Sequence, residues 1–192
     1  QIDSRVFISL HTGDGGDTVV DDNSSATLSS RYSSFQYLGS LRRRVYDASN
    51  VLQSQTFPAR TPINGSPALS AQFYTPLAVN RVNGLRLLLG ANNGLYESLD
   101  QGQTINRIST LRVNAFAGDP IEYGVPSNPD LIYMGSGNNV YLSLAPGGPV
   151  NLLGAPGAST VVDVAIDSAQ PARLFAMTSS TVHYSSNSGA LY

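Results

Sequence analysis

Short apolar runs separated by turn residues recur along the chain, and the clearest example spans residues 87–104. Leu87, Leu88 and Leu89 form one strand core and Leu95 and Tyr96 a second, with Asn92-Asn93-Gly94 between them. Asn and Gly tolerate positive φ, so these three residues predict a hairpin turn. The same order of residues returns at 132–143 and again at 174–185. The serines that end the three copies, Ser98, Ser143 and Ser185, stand 45 and then 42 residues apart. A repeat of about 40–45 residues built from short strands is what a propeller blade produces. No long segment keeps a 3.6-residue apolar period, so helices are not expected.

The pattern predicts an all-β, β-propeller-like chain of four blade units of antiparallel strands, either a single domain or a segment of a larger propeller. The units fall at approximately 17–57, 74–109, 121–154 and 161–192. Residues 58–72 are rich in Pro, Gly, Ser and Ala and read as an inserted loop, of the kind that more often carries function or mobility than nothing. The last unit supplies three strands. Residues 5–10, with Val6, Phe7, Ile8 and Leu10, are a strand to spare, predicted to pair beside the last unit. Closure of this kind removes an exposed edge.

Composition narrows the function classes. The 192 residues are 41% hydrophobic and 12% charged, which is the profile of a globular, turn-rich chain. A net charge of −2 gives no electrostatic case for nucleic acid or an anionic membrane. All 11 basic residues are Arg, and Arg42-Arg43-Arg44 is a local exception. It reads as an exposed strand or turn, with an anion site as the sharper alternative. The absence of Cys excludes disulfides and zinc thiolates. No apolar run is long enough for a transmembrane segment, and no signal peptide stands at Gln1. The Ser-, Asn-, Gly- and Thr-rich, Cys-free composition suits a secreted or cell-surface protein of bacterial type, present here as a mature form or a piece.

Candidate chemistry is sparse. Asp14, Asp17, Asp21 and Asp22 crowd one glycine-rich loop and are hard oxygen donors of the kind calcium prefers; the alternative is a turn with solvated acids. A glycosidase needs two carboxylates across a cleft. Asp14, Asp17, Asp21, Glu97, Glu122 and Asp163 are the candidates, and nothing in their spacing selects a pair. His11 and His183 are the only histidines and stand far apart. No nucleophile elbow is present, and Gly13–Gly16 lacks the Lys-Ser/Thr of a phosphate loop. Tyr96, Tyr133, Tyr141 and Tyr184 recur at strand positions and read as blade packing rather than a sugar platform.

Ser98-Leu99-Asp100-Gln101-Gly102-Gln103-Thr104-Ile105 resembles the Asp-box, or BNR repeat, Ser-x-Asp-x-Gly-x-Thr-Trp, of sialidase-like and xyloglucanase-like propellers. Ile105 stands in place of the Trp. Ser185-Ser186-Asn187-Ser188-Gly189 is a degenerate copy, and Ser143-Leu144-Ala145-Pro146-Gly147 has lost the acid. Gly13-Asp14-Gly15-Gly16 followed by Val19-Val20-Asp21 also resembles a blade opening of that superfamily. The resemblance implies that Ser98, Asp100, Gly102 and Thr104 are structural and sit on the blade rim, away from the axial binding face. It leaves three functions open: a non-catalytic module for glycan or protein binding and scaffolding, a sialidase-like glycoside hydrolase or part of one, and a structural component of a surface assembly. A sialidase needs an arginine cluster, a tyrosine nucleophile and an acid/base aspartate, and no Arg-Ile-Pro segment of that type is present. An incomplete ring would also call for self-association or a further segment.

Overall fold

The computed structural model describes residues 12–115 and 119–188. It is all-β, apart from a single 3-10 turn at Gln36–Leu38. Sheet 1 contains β1 (Thr18–Asp21), β2 (Leu28–Phe35), β3 (Gly39–Asp47) and β4 (Leu52–Thr56). Sheet 2 contains β5 (Leu77–Val79), β6 (Leu87–Ala91), β7 (Gly94–Ser98) and β8 (Asn106–Ser109). Sheet 3 contains β9 (Ile121–Val125), β10 (Asn128–Ser136), β11 (Asn139–Ser143) and β12 (Asn151–Gly154). Sheet 4 contains β13 (Val161–Asp167), β14 (Gln170–Thr178) and β15 (Val182–Ser185). Every sheet is an antiparallel meander in chain order, and each is one blade. The first strands are the inner ones: β1 lies against β5, β5 against β9, and β9 against β13. The predicted closing strand at 5–10 lies outside the described residues.

The cores lie between successive sheets. Leu87, Leu89 and Tyr96 of sheet 2 pack with Tyr32 and Leu41 of sheet 1 and with Leu38 of the 3-10 turn. Leu88 and Leu95 turn the other way, onto Ile121, Tyr123, Ile132 and Met134 of sheet 3. Val125, Tyr133 and Val140 of sheet 3 then meet Val161, Val164, Leu174 and Ala176 of sheet 4. Successive residues of a strand point to opposite faces, so a blade packed on both sides needs apolar residues at every position. That is why β6 reads Leu-Leu-Leu-Gly-Ala without alternation.

One turn differs in cause from the sequence reading. Asn92 and Asn93 form the two-residue loop of the β6–β7 hairpin, with Ala91 facing Gly94, but neither has positive φ. Gly94 takes it instead, at φ 150°, and a Cβ there would lie 2.2 Å from the Ser109 carbonyl oxygen. The asparagines hold the 58–72 loop. Asn92 Nδ2 donates to the Ala71 carbonyl at 3.1 Å, and Asn93 Nδ2 to that of Ala68 at 2.9 Å. The loop is thus a strap across sheet 2. Its Ala59 and Ile63 N–H groups bond the Gly102 and Ile105 carbonyls, at 2.7 and 3.0 Å.

Candidate functional site

The leading ends of the inner strands bring polar residues together at the propeller axis. Asp17 stands directly before β1, Tyr74 before β5 and Asp119 before β9, while Glu122 lies in β9 and Asp163 in β13. An open cleft of about 470 Å³ runs along these strands, lined by Asp119, Glu122 and Asp163 with Arg81, Val20 and Ala165 among others. The Tyr74 hydroxyl donates to Asp119 Oδ1 at 3.1 Å and also lies beside the Asp17 carboxylate. Asp17 is buried. Its Oδ2 accepts the Leu77 N–H at 2.6 Å and its Oδ1 the Thr18 N–H at 2.7 Å, so it clamps the start of β1 to the start of β5.

Burial governs the electrostatics. It pushes the Asp17 carboxyl up to about 6, and the neighbouring Asp119 charge adds to the effect. It pushes Glu122 up to about 7, against the opposing pull of Arg81, whose guanidinium is 2.6 Å away. Asp163 is raised for the same reason, and Tyr74 is raised by burial and then by Asp17 and Asp119. Among the described residues, no three His, Asp or Glu side chains gather closely enough to hold a metal ion.

The calcium loop predicted from sequence is accordingly not assembled as a ligand set. Asp14 and Asp22 are exposed, Asp17 serves β5, and Asp21 Oδ1 accepts the Asn23 and Ser24 N–H groups at 3.2 and 3.1 Å. A second correction concerns Glu97, offered above as a glycosidase carboxylate. It lies buried between sheets 2 and 3, where Arg86 donates to its Oε1 at 2.9 Å and the Tyr123 hydroxyl donates to the same oxygen. Arg86 also pairs with Asp130, and its Nε reaches the Tyr123 oxygen at 2.6 Å. This network joins blades and does not face the axis. His11 lies outside the described residues, and His183 sits in β15.

The 98–104 turn is a local hydrogen-bonded knot. Ser98 Oγ donates to Asp100 Oδ1 at 2.8 Å, while Asp100 accepts the Thr104 N–H at 2.8 Å and the Thr104 hydroxyl at 2.6 Å. Those bonds lower the Asp100 pKa in spite of partial burial. Gly102 has φ 89°, and a Cβ there would lie 2.7 Å from Pro58. Sequence reasoning missed Tyr74, Asp119 and Arg81. The signal available for the first two was position: each stands just before the first strand of a unit, as Asp17 does.

No family model matches the chain, and no curated relative matches it. Among solved structures it is similar to an ancestral GH74 enzyme, with a TM-score of 0.61 and 15% identity, over 93% of this chain and 23% of that one. It is also similar to the GH74 xyloglucanase from Xanthomonas campestris, with a TM-score of 0.59 and 16% identity, over 84% of this chain and 28% of that one. The chain thus spans about a quarter of the length of these structures. At such identities the likeness establishes the fold, a β-propeller.

Proposed function

We propose that the chain is a non-catalytic, glycan-binding propeller module of an exported protein, with the axial cleft as its binding surface and the 98–104 turn as an Asp-box that braces blade 2. The observation that carries this reading is the pairing of two features at one end of the inner strands. Asp119 and Asp163 supply acceptors for sugar hydroxyls, and the half-exposed Arg81 supplies donors. Next to Tyr74, the ring of Phe73 meets Tyr37 edge-on at 5.4 Å, and the two are 53% and 55% exposed. Exposed aromatic faces beside convergent polar groups suit a ligand that presents C–H faces and hydroxyls together.

Binding is favoured over hydrolysis by how the raised carboxyls are engaged. Asp17 accepts two backbone N–H groups, and Glu122 is held by Arg81 and by the Ile166 N–H. Those partners favour the charged form of each carboxyl and so oppose its use as a general acid. The hydrolase reading rests on the same two groups, since a carboxyl that titrates near neutrality is what a general acid requires. One experiment separates the two. Neutral oligosaccharides, with xyloglucan fragments included because a similar fold is a xyloglucanase, are titrated calorimetrically and also assayed for hydrolysis. Binding without turnover, weakened about tenfold or more by Asp163→Ala or Phe73→Ala, is expected. Turnover abolished by Glu122→Gln would install the hydrolase reading, and no binding to any glycan would remove both.

A further inference from the structure

The arginine run at 42–44 splits across sheet 1. Arg43 pairs in register with Tyr32, on the face packed toward sheet 2. Arg31, Arg42 and Arg44 share the opposite face. There Val20, Arg31, Arg44 and Gln55 form a row across all four strands, with Ser33 and Arg42 paired beside it. The corresponding face of sheet 2 carries Leu87 and Leu89, that of sheet 3 Ile132 and Met134, and that of sheet 4 Leu174 and Ala176, each packed on the sheet before it. Guanidiniums in such places could not be buried without counter-charges. The face of sheet 1 is therefore built for water or for an anion, and not for another blade. Arg31 and Arg44 stand directly opposite each other, a placing that like charges make unfavourable. Among the described residues neither makes an ion pair. Neutral groups hold the arginines instead, and hold them apart. Arg31 stacks over the Tyr46 ring at 4.2 Å and donates to Asn50 Oδ1 and Ser29 Oγ, at 2.6 and 3.0 Å. Arg44 Nε donates to Gln55 Oε1 at 2.8 Å, and Arg42 Nε reaches the Ser40 carbonyl at 3.4 Å. One guanidinium thus leans toward the 47–51 turn, one toward β4 and one toward the start of β3. Asp22 and Asp47 share a hollow with Arg31 at the end of the sheet, beyond ion-pair distance. Asp47 is taken up by the Ser49 and Val51 N–H groups and the Gln53 amide.

We propose that this face binds an acidic polysaccharide of the polyuronate class, whose carboxylates recur along the chain. Three guanidiniums spread over one sheet face do not converge on a single small anion. They match a charge repeated along a polymer, each planar fork taking one carboxylate. The amides and hydroxyl among them, Gln55, Asn50 and Ser29, suit the sugar hydroxyls. A nucleic acid would bring more phosphate charge than three cations can offset on a chain of net charge −2. An acidic peptide would need an apolar anchor in a pocket, and the exposed apolar side chains of this face, Val20 and Leu52, lie at its two margins. The face lies beyond Val20 from the axial cleft, and the proposal stands whatever the cleft binds.

The test is calorimetric titration of the full chain at low salt with oligogalacturonate, its methyl ester, and an oligoglutamate and a sulfated galactan oligomer of equal charge. Oligogalacturonate is expected to bind at least about tenfold more tightly than its uncharged ester, and to weaken as salt is added. Arg31→Gln and Arg44→Gln together should cost about tenfold or more. Arg60→Gln removes an exposed charge from the strap and should change the affinity less than about twofold. With no ligand present, Arg44→Gln should keep or raise the melting temperature, because it removes a like-charge pair. Equal binding of acid and ester, binding of neither, or equal losses from Arg60→Gln and the double variant would overturn the proposal. Tighter binding of oligoglutamate would assign the face to an acidic protein, tighter binding of the sulfated oligomer to a sulfated polymer, and either would overturn it too. So would a lower melting temperature in Arg44→Gln, which would mark the arginines as structural.

Discussion

Sheets 2 and 4 share one strand–turn–strand pattern and end in different surroundings. In β6, Leu87, Leu88 and Leu89 are all fully buried, because sheet 1 covers one face and sheet 3 the other. In β14, Leu174 and Ala176 are fully buried against sheet 3, while Phe175 is 43% and Met177 37% exposed. Tyr184, across from Phe175 in register, is exposed with it, and their rings stack at 5.0 Å. A continuous apolar run therefore marks a strand able to pack on both sides; whether both are packed depends on the neighbours. Period 2 is visible in the burial of sheet 4 and absent from its sequence. The contrast corrects the reading of Tyr184 as blade packing, while Tyr96 and Tyr133 are buried as expected.

The largest expected effect tests that difference directly. Leu88 and Phe175 occupy equivalent positions, since Leu87 faces Ser98 and Leu174 faces Ser185. Leu88→Ala should cost about 2–5 kcal/mol, through lost burial and the cavity left between sheets 2 and 3. Phe175→Ala should cost less than about 1 kcal/mol, because little of its ring leaves a packed environment. Urea unfolding of the two variants makes the measurement. A comparable loss from both would mean that the Phe175 face is covered in solution.

The turns that follow the two sheets sharpen the comparison at smaller scale. Ser98 and Asp100 make a side-chain bond of 2.8 Å, with the Asp100 N–H on Ser98 Oγ at 3.3 Å. Ser185 and Asn187 repeat both, at 2.7 and 3.3 Å. The degenerate copy thus keeps the start of the knot. Sheet 3 replaces it with a bond from Ser143 Oγ to the Ala145 carbonyl at 3.2 Å. Asp100→Ala should cost about 1–3 kcal/mol, because the Thr104 N–H and hydroxyl lose their acceptor together. Asn187→Ala should cost about 1 kcal/mol or less. Thermal melts of the pair decide, and equal losses would show that the Thr104 bonds add nothing.

The fold was legible because its signals are local. Hairpins and turns are contained within single units, and the 45- and 42-residue spacing only repeats them from one unit to the next. The site was not, because it is made where four units meet. Glu97, between Tyr96 and Ser98, and Glu122, between Ile121 and Tyr123, are both strand glutamates beside a tyrosine, and those neighbours do not say which of them meets the cleft. Glu97 lies in β7, second from the outer edge, and so ends between sheets beside Arg86; Glu122 lies in the inner strand β9 and so meets the axial cleft. Strand rank within the blade decides the fate of a carboxyl, and rank follows from counting strands rather than from periodicity. The hydrogen-bonded turn around Asp100 was legible because the partners of that side chain lie within four residues.

The smallest expected effect is a pH dependence carried by Glu122 and Asp17. Burial raises Glu122 from 4.5 to about 7, and Asp17 from 3.8 to about 6, so the native chain holds protons that the unfolded chain has released. Unfolding then releases protons, and stability falls as pH rises through that window. The contribution is complete below about pH 4 and gone above about pH 7, the reverse of an ordinary ion-paired carboxylate. The domain should therefore be more stable at pH 5 than at pH 8, by on the order of 1–2 kcal/mol. Glu122→Gln cannot titrate, and Arg81 opposite is nearly half exposed, so little is lost with the ion pair. The variant should flatten the profile between pH 5 and pH 7 and leave the remaining slope to Asp17. Unfolding midpoints in urea across that range provide the check. An unaltered profile in Glu122→Gln would mean that the axial cleft is wet enough to keep this carboxyl charged.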